Sequence, residues 1–243
     1  MERNSPSRYM SRCMLTAAFC LLVTVAGAQT KDDANPPDNP SGVRPFHITL
    51  PELELRGTTP TMFAALLRES GLSGGIAVSN QECSQGPEFS VSVGAGTTLD
   101  KALGQVAKSG TTSKWQVRDG LAILLPIGFV PPLLQVRIRR FEWDRAAPTV
   151  EAVARLRNLP EVSAEALKLG LKEAPFEGGM SQYCIRGDCS QKPKPEQALE
   201  MEEDATLFTV LNHIARAHAG SIWNYSEYRC DQDTRFSLGL LAE

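Results

Sequence analysis

"TLDKALGQVAKSGTTSKW", Thr98 to Trp115, decides how the chain is read, because its pattern occurs twice. It lies without a gap on "TLFTVLNHIARAHAGSIW", Thr206 to Trp223. Thr98 meets Thr206, Leu99 meets Leu207, Leu103 meets Leu211, Val106 meets Ile214, Ala107 meets Ala215 and Trp115 meets Trp223. Leu99, Leu103 and Val106 stand at i, i+4 and i+7, the spacing of one helix face. Matching core positions at this distance along the chain mean two units built on one plan.

Further matches lie upstream. Val91 and Val93 fall on Leu199 and Met201, alternating with polar residues as strands do. Cys83-Ser84-Gln85 corresponds to Cys189-Ser190-Gln191, and Pro60-Thr61 to Pro148-Thr149. In the first copy an alternating strand starts at Phe46. Thr59 suits an N-cap and Pro60 the first helical position, with Phe63, Leu66 and Leu67 buried and a stop at Gly71. "GGIAVS" and "EFSVSV" read as short strands, and "SKWQVRDGLAILL" as a hairpin turning at Asp119-Gly120. The order is β-α-β-β-α-β-β in each copy. The expected class is therefore α+β, with two tandem domains at 46–126 and 135–243. The second copy carries an insertion near 159–197, where Ser163 suits the cap of a short extra helix carrying Leu167 and Leu171.

The ends suggest a compartment. Arg3, Arg8 and Arg12 precede the apolar run Met14 to Ala28, which closes on Ala26-Gly27-Ala28, an A-x-A cleavage pattern. Residues 1–28 read as a signal peptide, too short an apolar run for the roughly 20 residues of a spanning helix. Residues 29–45, rich in proline, read as a flexible leader. The expected location is periplasmic or secreted, with no integral membrane segment in the mature chain. Cleavage removes three arginines and one glutamate, so the processed chain is more acidic than the full chain's −3. That argues against a nucleic-acid partner, which needs a basic surface.

Cys83, Cys184, Cys189 and Cys230 survive cleavage, an even number that reads as disulfides in an exported chain. Cys184–Cys189 with Cys83–Cys230 is favoured by the short spacing of the first pair. Cys184–Cys230 with Cys83–Cys189 is the rival, since it joins the two cysteines that the first copy lacks. Zinc would need a second ligand pair after Cys184 and Cys189, and none follows at ligand spacing. No metal and no cofactor are expected.

No catalytic motif is found: no nucleophile elbow, no H-E-x-x-H helix, no phosphate loop. His213 and His218 are five residues apart, about 500° of helical rotation, and do not share a face. Trp115 and Trp223 read as equivalent core residues rather than a ligand platform. Glu200 and Glu202 are expected to point outward from a strand, with Glu203 and Asp204 at the start of the following helix. Arg186-Gly187-Asp188 spells an integrin-binding tripeptide, but Gly-Asp is also what a tight turn requires. The segment Ile185, Arg186, Gly187 and Asp188 belongs only to the second copy. It is the candidate partner-binding loop, acting through shape and the Arg186 charge.

These residues together carry a family resemblance. A helix ending in Ser70-Gly71-Leu72, a β run, the "VSV" strand, Thr98-Leu99 with Ala102-Leu103, then Trp115, Val117, Asp119 and Gly120 resemble the short N-terminal (STN) domain of secretins and TonB-dependent receptors. The likeness is fuller over Phe46 to Pro126 than over Gln135 to Leu241. It implies a pair of helices held between two small sheets, and a non-catalytic module that binds another protein of the bacterial envelope. A secreted enzyme with a site between the two domains is the alternative reading, and an adhesin working through Arg186-Gly187-Asp188 the third.

Overall fold

The computed structural model describes residues 45–82, 87–145, 148–174, 199–230 and 232–241. The first half runs β1 (Leu53–Gly57), α1 (Thr59–Glu69), β2 (Gly74–Glu82), β3 (Phe89–Val93), α2 (Leu99–Ser109), β4 (Ser113–Arg118) and β5 (Leu121–Pro126). The second runs β6 (Arg137–Asp144), α3 (Thr149–Arg157), α4 (Pro160–Lys168), β7 (Leu171–Glu173), β8 (Leu199–Thr206), α5 (Leu207–Ala217), β9 (Ile222–Cys230) and β10 (Asp233–Leu241). The class is α+β. Apart from α4, the order of elements is the same in both halves.

Local chemistry fixes the element ends. α1 has Thr58 as its N-cap, one residue before the expected Thr59; the Thr58 hydroxyl accepts from the Thr61 amide and Pro60 sits in the first turn. α5 is capped by Thr206, whose Oγ1 accepts from the Thr209 amide at 3.1 Å. Thr206→Ala is expected to cost about 1 kcal/mol. Urea denaturation should read that loss, and a smaller one at Thr98, whose hydroxyl caps nothing in α2. α4 starts at Pro160, not at a Ser163 cap. Proline suits the first helical position, and the Ser163 amide already donates to the Leu159 carbonyl inside the helix. Leu167 is largely exposed and Leu171 belongs to β7. Asp119 and Gly120 both take positive φ, the two-residue turn expected between β4 and β5.

Three sheets organise the described residues. β1 pairs with β3 and β6 with β8, each antiparallel. The third has six strands in the order β4-β5-β2-β9-β10-β7 and crosses from one half to the other. The junction is the parallel pair β2·β9, with Gly74 opposite Ile222, Gly75 opposite Trp223 and Ala77 opposite Tyr225.

This sheet is buried on both faces. Along β5, Ala122 and Leu124 enter one core with α1 and α2, while Leu121, Ile123 and Leu125 enter the other with α3, α4 and α5. Strand residues alternate between faces, and β2 and β9 divide in the same way: Ile76, Val78 and Ile222 on one side, Ala77, Trp223 and Tyr225 on the other. The layers are therefore β1·β3, then α1 and α2, then the six-stranded sheet, then the second half's helices, then β6·β8.

Strand directions explain this placement. β4-β5-β2 corresponds in plan to β9-β10-β7. β2 runs parallel to β5 and to β9, while β4 opposes β5 and β10 opposes β9. The second trio is thus the first turned by a half rotation about an axis lying in the sheet across its strands. Such a rotation reverses strand direction and carries the helices to the other face. The contact is head-to-tail, an end strand of one trio against the opposite end strand of the other.

Candidate functional site

Two features of the fold can recognise another molecule: the β4 edge of the large sheet and a cleft in the second half. β4 pairs with β5 on one side and with no strand on the other among the described residues. Residues facing each other across an antiparallel pair alternate between bonded and non-bonded. The Ile127 amide donates to the Thr112 carbonyl at 3.0 Å, which sets the phase of that alternation. Lys114, Gln116 and Arg118 therefore direct their backbone groups to β5, while Ser113, Trp115 and Val117 direct theirs outward. Val117 is half exposed, and Ile127 at the other end of the hairpin is more so. Lys114 and Arg118 add two exposed positive charges.

Trp115 and Trp223, expected as equivalents, differ because β4 ends the sheet and β9 lies inside it. Trp223 is fully buried; its Nε1 donates to Asn212 Oδ1 at 3.0 Å, and Phe208 meets it edge-on at 5.6 Å. Asn212, fully buried, also donates to Asp119 Oδ2 at 3.3 Å, tying α5 to the β4–β5 turn. Arg118 stacks over Phe208 at 5.5 Å across the same join. Trp115 is half buried and packs against Phe46 at 6.0 Å.

The cleft holds about 420 Å³ and is lined by Trp143, Arg145, Glu202, His213, Arg216 and Ala217. Glu202 corrects a sequence expectation. It does not point to solvent but bonds His213 Nδ1 on α5. Asp204 takes φ +50°, and beside it the buried positions of β6 step from Ile138 to Phe141 and then to Trp143. The left-handed residue shifts the alternation by one and turns Glu202 toward the helix. Glu203 and Asp204 remain in β8 rather than entering the first turn of α5.

His218 ends α5 with its ring 5.7 Å from that of Trp143. Burial, and then the Arg145 charge, hold its pKa below the usual histidine value. His218 Nε2 and Trp143 Nε1 are both buried with no hydrogen-bond partner. The two histidines thus lie near one cleft despite pointing to different helix faces. Helical spacing alone misses this, because the cleft wall is completed by β6 and β8.

The candidate loop Ile185, Arg186, Gly187 and Asp188, with Cys83, Cys184 and Cys189, lies outside the described residues. Cys230 closes β9, one residue after Arg229, which is opposite Glu82. Among the described residues no group of three or more His, Cys, Asp or Glu is placed to hold a metal ion. No helix among them is long and apolar enough to cross a membrane. No family model, no curated protein and no solved structure matches the chain.

Proposed function

We propose that this chain is an exported, non-catalytic module of the bacterial envelope that binds another protein by taking one of its strands onto β4. The observation that carries this reading is the row of outward backbone groups at Ser113, Trp115 and Val117 on a sheet held rigid by cores on both faces. Strand addition draws affinity from backbone bonds and specificity from alternate side chains. Lys114 and Arg118 suit a partner strand with acidic residues at alternate positions, since opposite charges across strands attract. The signal-like start, the acidic processed chain and the resemblance to secretin and TonB-receptor N-terminal domains support the compartment and the partner class. A catalytic site between the halves is the competing reading. The polar contacts at that join, Asn212 with Trp223 and Asp119, and Ser73 Oγ with the His218 carbonyl, are bonds of the kind that hold elements in register.

Val117→Pro tests the edge. Proline lacks the outward amide and is tolerated at sheet edges, so the β4·β5 ladder and the melting temperature should be preserved. Partners recovered from envelope extract should fall sharply. A parallel variant replaces Ile185 to Asp188 by Gly-Ser-Gly-Ser. Loss of partners in that variant, with full recovery by Val117→Pro, would move recognition from the edge to the loop.

A further inference from the structure

The chain holds, in its second half, a filled version of its own open edge. In the repeat β9 is the counterpart of β4: Ser221 stands for Ser113, Trp223 for Trp115, Asn224 for Gln116 and Tyr225 for Val117. The side of β9 that corresponds to the open side of β4 carries β2, which runs parallel to it. The Gly74 amide donates to the Ser221 carbonyl at 3.1 Å, so Ser221 turns its backbone outward as Ser113 does.

The tryptophan decides what this side admits. Gly75 lies opposite Trp223, and a Cβ there would stand 2.0 Å from Cε2 of the ring. The indole thus crosses the neighbouring strand, and glycine is what lets that backbone come so close. Trp115 is set in the same way. Trp223 Nε1 reaches Asn212 on α5. Trp115 Nε1 lies beside Gly104, the counterpart of Asn212 on α2, where a Cβ would stand 3.6 Å from it. Both indoles therefore point at the same place on their own helix. Trp223, with β2 alongside, is fully buried; Trp115, with no strand alongside among the described residues, is half buried. Ala77 lies opposite Tyr225, so a small residue also faces the counterpart of Val117.

A second copy of this chain brings no fitting strand. Gly74, Gly75 and Ile76 are already paired with β5 and with β9. β7, which holds the place of β2 in the second half, has three residues and no glycine. The occupant is an extended segment of another protein.

We propose that β4 takes its partner strand parallel to itself, with a glycine opposite Trp115 and acidic residues opposite Lys114 and Arg118. From its N-terminal end the segment reads acidic, glycine, apolar, small, acidic, facing Lys114, Trp115, Gln116, Val117 and Arg118 in turn. This direction and this glycine rest on β4 being the seat of the partner.

The test uses the full processed chain and capped synthetic peptides, with the Trp115 indole N–H signal followed by NMR. Ser-Glu-Gly-Ile-Ala-Glu-Ser is the parallel probe. Its reversal, Ser-Glu-Ala-Ile-Gly-Glu-Ser, brings the same side chains to the same positions from an antiparallel strand. The parallel probe should move the signal to saturation and bind more tightly than the reversal. Replacing its glycine by valine should weaken binding about tenfold or more, the scale of one steric misfit. Valine favours strands more than glycine does, so an edge that reads backbone alone would bind the valine peptide more tightly instead. Equal or tighter binding of the reversal, or of the valine peptide, overturns the proposal and leaves the edge reading standing. No saturation by the parallel probe also overturns it, and capture of envelope partners with Val117→Pro then reports separately on the edge. Saturation that Val117→Pro leaves unchanged places the peptide elsewhere and overturns both.

Discussion

Gly75→Ala is expected to lower stability by about 3 kcal/mol, the upper end of the usual cost of overpacking. A Cβ built on Gly75 would stand 2.0 Å from Trp223 Cε2 and 2.2 Å from Cζ2. Neither neighbour can yield cheaply. Trp223 is fully buried, bonded to Asn212 and held edge-on by Phe208, and Gly75 sits in a strand paired on both sides. The methyl group must therefore part β2 from β9 or drive the indole out of its place. Urea denaturation measures the loss. In the Gly75→Ala background, Trp223→Leu should cost less than it does in the parent, because residues in contact are not additive. A loss under about half a kcal/mol, the level of ordinary surface changes, would show that the ring does not rest on this glycine.

Leu103→Ala and Leu211→Ala should each cost about 2–5 kcal/mol, the range for removing a buried leucine. The two residues sit at matching places in the repeat, are both fully buried, and belong to different cores on opposite faces of one sheet. Leu125 and Leu124, neighbours on β5, enter one core each. Damage on either side should therefore pass through the shared strands, and both variants should unfold in a single transition shifted to lower denaturant. Two separate transitions in either variant would mean that the halves unfold independently despite the common sheet.

Much of the plan was legible from the sequence. Leu103 and Leu211, the β4–β5 turn and the element order all follow from apolar period and turn chemistry, which act within about twenty residues. The β2·β9 join did not follow, because it is set by contact between segments far apart in the chain. It left two traces. "LAILL" at Leu121 to Leu125 is apolar without alternation, which suits a strand covered on both faces. Gly74-Gly75 stands in a strand where glycine is otherwise unfavourable, a sign of something large in close approach. The cleft was less legible still. Strict alternation along β8 put Glu202 on the solvent side, and one left-handed residue, Asp204, reversed it. Aspartate tolerates the left-handed region better than most residues, but its presence alone does not place a reversal.

The join between the halves also carries a rule of growth. A trio placed beside another by a half turn about the line of stacking presents at its far end the same kind of strand that its neighbour has just used. Repeating the operation never brings it back to its start, so the rule by itself describes a fibre, of which the six-stranded sheet shows one join. Among the described residues, two features of the end strands oppose further steps. β7 has three residues where β2 has nine, too little backbone to seat a six-residue β4 from another molecule. β4 in turn carries Lys114 and Arg118, which disfavour any strand that brings no acidic residues to meet them. Both features act against a third trio joining by the same operation.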